Sequence, residues 1–334
     1  MSVAARFSAA RLLAVLALCA ALASTAFVLA LVYGEQPLDF GALTQPESDT
    51  RLFLSLRLPR VLLAALVGAA LAASGATLQS LLRNPLADPF VLGVSGGAAL
   101  GATVALAFGF AALPLFTGVS GLALLGALGA MVLVLAVGRL AGGDVSTTTL
   151  LAGVIFNAFA LAAILFIKAL VAPDRLGEIL FWLVGSLGMH VEGATLGATS
   201  AVVLLALGVM VALSGRLNLL TLGEDDARSL GVDVTRTRAA LLVASSVAVA
   251  ASASLSGLIG FVGLLVPQVV RLVFGADQRL ALPASALLGA AFLMLADMAA
   301  RLLLRVFHTE PPVGVITALL GGPLFLVLMV RARR

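Results

Sequence analysis

Charge is scarce in this 334-residue chain: only 11% of residues are Asp, Glu, Lys or Arg, and a single one, Lys168, is a lysine. A nucleotide-binding P-loop needs a lysine directly after its glycine-rich turn, and Lys168 sits instead in the apolar run Phe166-Ile-Lys-Ala-Leu170, so the chain holds no such site. Any use of ATP must fall to another subunit. Cysteine occurs once, at Cys19, which excludes an internal disulfide and a cysteine-built metal centre. The two histidines, His190 and His308, stand in separate expected loops, and neither a catalytic residue nor a metal ligand is expected in this chain. The net charge of +4 is modest, and no nucleic-acid partner is expected. What fills the space is apolar: 62% of residues are hydrophobic, 34 are glycine, and the mean hydropathy is +1.18. A water-soluble domain does not have this composition. A membrane-crossing helix uses about 20 apolar residues, so ten would take about 200 and leave about 130 for connections. The expectation is an all-α polytopic membrane protein, one domain over residues 1–334, in contact with lipid.

Apolar runs and their breakers place spans near 12–33, 60–81, 90–110, 118–138, 148–171, 193–213, 239–256, 258–274, 283–304 and 313–330. Ala21-Leu-Ala23 resembles a signal-peptide cleavage site, but the apolar run around it is longer than the usual core of about 7–15 residues, so the first span is expected to be retained. Ten spans bring both termini to one side. With the termini cytoplasmic, thirteen basic residues lie inside, including Arg6, Arg11, Arg83, Arg228 and Arg271. Seven lie outside, including Arg51, Arg57, Arg60, Lys168 and Arg301, which agrees with the positive-inside bias. Pro267 and its neighbouring glycines should leave the helix over 258–274 short or kinked. Small residues at Gly68–Gly75 and Gly121–Gly129 allow close helix contact and hydroxyl bonds across helices.

Four segments carry more than connection. Arg57-Leu-Pro-Arg60 opens the second span on the outside, with Pro59 suited to a first helical turn; the arginines there oppose the helix dipole and point to either an acidic partner or lipid headgroups. Gln79 to Pro89 forms a tight cytoplasmic elbow around Asn84-Pro85. It leads into Gly93-Val-Ser-Gly-Gly97, which matches the G-x-S-x-G nucleophile elbow of hydrolases but lacks the preceding strand and the histidine that chemistry needs. The loop over about 214–238 holds eight charged residues; Thr221-Leu-Gly-Glu224 reads as a capping box, Glu224 and Arg228 as an i,i+4 pair, and Gly231 as the stop of a short amphipathic helix resting on Leu222, Ala227 and Leu230. Last, Asp297 is an acid well inside a span, and Arg301 one turn later is its natural ion-pair partner.

Together, Arg83-Asn-Pro-Leu-Ala-Asp-Pro89 with Leu92-Gly-Val-Ser95, Arg57-Leu-Pro-Arg60, Gly257-Leu-Ile-Gly-Phe-Val-Gly-Leu-Leu-Val-Pro267 with Arg271, and Leu295-Ala-Asp297 with Arg301 resemble the permease subunits of binding-protein-dependent ABC importers for iron–siderophores, haem and vitamin B12. The resemblance runs from about residue 50 to the C-terminus. It implies a ten-helix permease of the bacterial inner (cytoplasmic) membrane, working as a homodimer. Two ATP-binding subunits would dock beneath it and carry the ATP and Mg; a periplasmic substrate-binding protein would dock above and deliver a metal chelate. By the same resemblance, Gly223, Glu224, Asp225, Ala227, Arg228, Leu230 and Gly231 form the helix that couples to the ATPase. Arg57, Arg60 and Arg301 would meet acids of the binding protein, and Asn84, Leu86, Ser146 and Thr147 would line a cytoplasmic gate. Phe181-Trp-Leu-Val-Gly-Ser-Leu187 is similar to a short outer helix at the cavity rim. The family usually has histidine where Gln268 stands and an aromatic residue near Glu192, so the chelate is not read from the resemblance. An iron–siderophore heads the candidates, with haem and cobalamin behind it. The rival class is an ion- or proton-coupled secondary transporter, which needs ionisable groups at mid-membrane; Asp297, the one acid well inside a span, has an arginine beside it.

Overall fold

Within a bilayer no water is present to satisfy backbone N–H and C=O groups, so apolar runs of this length close their hydrogen bonds internally as helices. A computed structural model of the chain describes residues 9–34, 49–110, 118–140, 145–188 and 191–332; for 49–54, 91, 139, 145–147 and 329–332 it describes the backbone alone. The helices are α1 (Ala9–Val32), α2 (Asp49–Leu81), α3 (Val94–Phe108), α4 (Gly118–Leu140), α5 (Val145–Leu170), α6 (Pro173–Val184), α7 (Gly193–Ala212), α8 (Ser214–Leu222), α9 (Glu224–Ser229), α10 (Val234–Ser256), α11 (Val262–Phe274), α12 (Gln278–Phe307) and α13 (Val313–Ala332). No strand occurs among the described residues. Seven of these helices are long and apolar enough to cross a membrane, and the apolar helices at Val94–Phe108, Val262–Phe274 and Val313–Leu328 are shorter. Each expected span overlies one of these ten.

Several boundaries move. Helix α2 starts at Asp49 rather than near residue 60, so Pro59 lies inside it and not in a first turn. Arg57 and Arg60 therefore do not sit at a helix N-terminus, and their supposed conflict with the dipole disappears. A 3₁₀ turn, Pro89–Leu92, precedes α3 and ends at Gly93, whose φ of +83° only glycine adopts freely. Helix α11 is short as expected, 13 residues with Pro267 inside, because the chain leaves helical geometry over 257–261. Helix α6, expected at an outer rim, begins at Pro173 and stops before Gly185, so Phe181 and Trp182 are its last turn rather than its start.

Burial sorts the bundle. The apolar windows of α2 and α10 are 78% buried, whereas that of α5 is 17% buried, so α2 and α10 belong to the interior and α5 to the periphery. Helices α2, α10, α11 and α12 pack together through small residues. A Cβ placed on Gly75 would lie 1.9 Å from the Gly263 carbonyl oxygen, and one on Gly68 would lie 2.2 Å from that of Gly289. Backbones this close gain dispersion energy that larger side chains would forbid. The buried hydroxyls mostly turn back on their own helix: those of Ser245, Ser252 and Ser256 donate to carbonyls four residues earlier at 2.7, 2.7 and 2.9 Å. Ser74 is different, its hydroxyl reaching the Ser245 carbonyl of a neighbouring helix at 3.2 Å.

Gly75→Ala should therefore lower stability by about 1–3 kcal/mol through overpacking. Gly129→Ala, at a helical position with nothing within 4 Å, should be neutral or gain up to about 1 kcal/mol. Thermal unfolding of the detergent-solubilised variants side by side checks the contrast.

Candidate functional site

Two polar assemblies stand at opposite ends of the bundle. At the end expected to face outward, α1 finishes with carbonyl groups that have no helical partner. Guanidinium groups supply it: Arg301 donates to the Ala30 and Tyr33 carbonyls at 2.8 and 3.3 Å, and Arg57 to that of Leu31 at 3.3 Å. Cations also suit the negative end of the α1 dipole. Gly34 follows because a Cβ there would lie 2.9 Å from Arg57 Cζ and 3.1 Å from Arg301 Nη1.

Asp297, on α12 and 0% exposed, is the counter-charge. Its Oδ2 accepts from Arg301 Nε at 3.0 Å, and its Oδ1 accepts from Arg60 Nε and Nη2 at 2.8 and 2.7 Å. A buried carboxylate is tolerable when two guanidinium groups saturate its lone pairs. Arg60 also holds Glu310 in the α12–α13 connection, with Nη1 to Oε2 at 3.4 Å and a second contact from Nη2. The Asp297–Arg301 pair was legible as an i,i+4 spacing. Arg60 and Glu310, 250 positions apart, were not, although a cationic excess beside one buried acid was a signal that they belong together. The three arginines expected to meet a partner thus turn inward, and Arg60 with Glu310 is the part of the cluster closest to the surface.

The elbow, at the end expected to face inward, is built as tightly. Arg83 takes a left-handed φ of +48°, ending α2, and donates to the Leu220 carbonyl of α8 at 2.7 Å. Asn84 Oδ1 accepts from the Leu86 amide at 2.9 Å, an Asx turn that leaves Asn84 and Leu86 exposed. Gln268 donates to the Pro85 carbonyl at 2.9 Å, tying α11 to the elbow. Gln79 reaches the Gly263 carbonyl at 3.0 Å and accepts from Arg271. Asp88 caps the 3₁₀ turn through the Phe90 amide at 2.8 Å; burial pushes its carboxyl above the ordinary carboxylate range, and that amide bond opposes the shift. Asn157 of α5, which no sequence motif marked, accepts from the Gly96 amide and donates to the Phe90 carbonyl, both at 3.1 Å. It seats α5 against the turn. Ser146 and Thr147 lie in the first turn of α5, and their side chains are outside the described residues, as is His190. Ser95 donates to the Phe90 carbonyl at 3.1 Å from within α3, so the G-x-S-x-G match is a helix start and not a nucleophile elbow.

The charged loop resolves into α8 and α9 rather than one capped helix. Thr221 belongs to the last turn of α8, its hydroxyl bonded to the Asn218 carbonyl at 2.6 Å, and the N-cap of α9 is Gly223. The capping box is therefore not formed. The Glu224–Arg228 pair is, at 3.2 Å; Arg228 also meets Asp225 at 3.1 Å and Arg238 meets Glu224. Gly231, with φ +82°, ends the turn as expected. Of the three apolar contacts only Ala227 is buried, while Leu222 and Leu230 are 63% and 60% exposed.

At the end that holds Glu310 lies a cavity of about 670 Å³ bordered by Phe181, Trp182, Ser186, Ser256, Glu310 and Pro312. Among the described residues no group of three or more His, Cys, Asp or Glu could hold a metal ion.

The family model of the FecCD transport family matches residues 12–331. The chain is 44% identical over 294 residues to the Bacillus subtilis protein YvrB, described as an uncharacterized ABC transporter permease, covering 85% of this chain and 80% of that one. It is 43% identical over 295 residues to the cobalamin import system permease BtuC of Halobacterium salinarum (88% and 76% covered). With the hemin transport system permease HmuU of Yersinia pestis it shares 41% over 284 residues (84% and 84%). A solved inward-facing structure assigned to the metal-chelate type of ABC transporter superposes with a TM-score of 0.83 at 32% identity, covering 95% of this chain and 99% of that chain.

Asp297→Asn or Arg301→Gln should each cost about 3–5 kcal/mol, since either leaves buried charge uncompensated. Thermal unfolding checks the loss, and the double variant should lose less than the two singles added together.

Proposed function

The chain belongs to the FecCD transport family, and from that premise we propose that it is the pore-forming permease of an ABC importer for a metal chelate, an iron–siderophore before haem or cobalamin. Two copies form the translocation path, ten helices from each cross the bacterial inner membrane, and both termini face the cytoplasm. The observation that carries the reading is the match of residues 12–331 to the family model, together with permeases whose names specify cobalamin import and hemin transport.

The inner surface suits coupling to an ATPase. Helix α9 is pinned by ion pairs and buries Ala227, while Leu222, the last residue of α8, and Leu230, just after α9, are exposed to whatever lies beneath. A push on α9 reaches α8 directly across Gly223, then the elbow through Arg83 on the Leu220 carbonyl. The elbow carries Asn84 and Leu86, which with Ser146 and Thr147 form the cytoplasmic gate in this proposal. ATP binding and hydrolysis on the partner thus bias a two-state pore that performs no bond chemistry itself. On the outer surface the arginine cluster receives the acidic face of a binding protein. A proton- or ion-coupled carrier would need an intramembrane carboxylate free to change its charge; Asp297 is held by Arg60 and Arg301.

Co-expressed with its cognate ATP-binding subunit, the chain should purify as a two-plus-two complex whose ATPase rate rises when the substrate-loaded binding protein is added. Uptake driven by a proton gradient in vesicles containing the chain alone would overturn the importer reading. Glu224→Arg, which sets a third cation beside Arg228 and Arg238, should leave ATP hydrolysis running and cut uptake at least tenfold. Normal uptake in that variant would remove α9 from the coupling path.

A further inference from the structure

We propose that Glu310 is an internal stand-in for the partner's carboxylate: it occupies the outward-facing donors of Arg60 in the free permease, and an acidic side chain of the docking protein displaces it. The inference rests on the docking reading above and adds a residue and an exchange to it.

The arginine cluster cannot accept a partner simply as it stands. Asp297 takes Nε and Nη2 of Arg60, and Glu310 takes Nη1 and Nη2. An incoming carboxylate would find these donors held unless one acid leaves. Asp297 cannot be that acid, being wholly buried and bonded by both arginines. Glu310 can. Its side chain is 31% exposed, it lies outside any helix, and among the described residues its hydrogen bonds run to Arg60 alone. The Arg60 side chain is itself 16% exposed, so the face that Glu310 covers is the face a partner would reach.

The exchange also has somewhere to act. Glu310 sits in the connection between His308, which ends α12 in a left-handed conformation, and Val313, which opens α13. Glu310 and Pro312 border the 670 Å³ cavity. The same connection is stitched to the rim helix by the Gly314 amide on the Gly185 carbonyl at 3.1 Å. Releasing Glu310 from Arg60 therefore frees the cavity border on the side a delivered chelate would enter. Docking and opening of the mouth become one event, because the Arg60 donors that hold Glu310 are the ones an incoming acid would use.

The test uses the whole transporter with its ATPase subunits in lipid nanodiscs and measures capture of the cognate binding protein. Glu310→Gln removes the competing charge while its amide oxygen still accepts from Arg60, so docking should tighten by about three- to fivefold, the range of a partly exposed ion pair. Neutralising the surface acids of the binding protein one at a time should identify a carboxylate whose loss abolishes that gain. Salt-sensitive docking that Glu310→Gln leaves unchanged or weaker would overturn the exchange while the docking reading stands. If the unmodified transporter captures the binding protein with no dependence on salt, docking through the arginine cluster is wrong and the exchange falls with it.

Discussion

The end of the bundle where α1 finishes depends on the neutralisation of Asp297. A carboxylate shut away from water inside an apolar bundle is sustained only by opposite charge at hydrogen-bond distance, and two helices supply it, α2 through Arg60 and α12 through Arg301. The same guanidinium groups have donors left over. Arg301 spends them on the open carbonyls of α1, and Arg60 on Glu310. One buried negative charge therefore sets the relative positions of α1, α2, α12 and the start of α13. Two of the arginines that look misplaced by the positive-inside bias, Arg60 and Arg301, are the structural requirement of that charge.

Elsewhere polar groups are few, and the helices are held by proximity. Gly68 against Gly289 and Gly75 against Gly263 bring backbones into contact along α2, where it meets α12 and α11. Lipid tails are as apolar as the helices, so close packing rather than exclusion from water supplies the attraction. At the elbow end the logic changes to single side chains that clamp backbone carbonyls: Arg83 on Leu220, Gln268 on Pro85, Asn157 on Phe90. Such clamps join short elements through single hydrogen bonds rather than through close backbone packing.

Much of this was legible beforehand. The all-helical class, the ten apolar segments, the elbow at Asn84-Pro85, the Asp297–Arg301 pair and the end of the loop helix at Gly231 all follow from local rules, since each is written in residues within one or two turns of each other. Where local rules competed with packing they failed. Pro59 was placed at a helix start and lies inside α2. Thr221 was given a capping role and closes α8 instead, and Leu222 and Leu230 were turned inward and face out.

By itself, then, the sequence determined the solvent. So apolar a chain must live in lipid, and its one lysine stands outside any P-loop. Only the tertiary structure decided which charges belong to one another. Arg60 and Glu310 stand 250 positions apart, and no periodicity or motif links positions so distant. Their meeting comes from the packing of α2 against α12, which carries Arg60 to Asp297 and brings the α12–α13 connection over both.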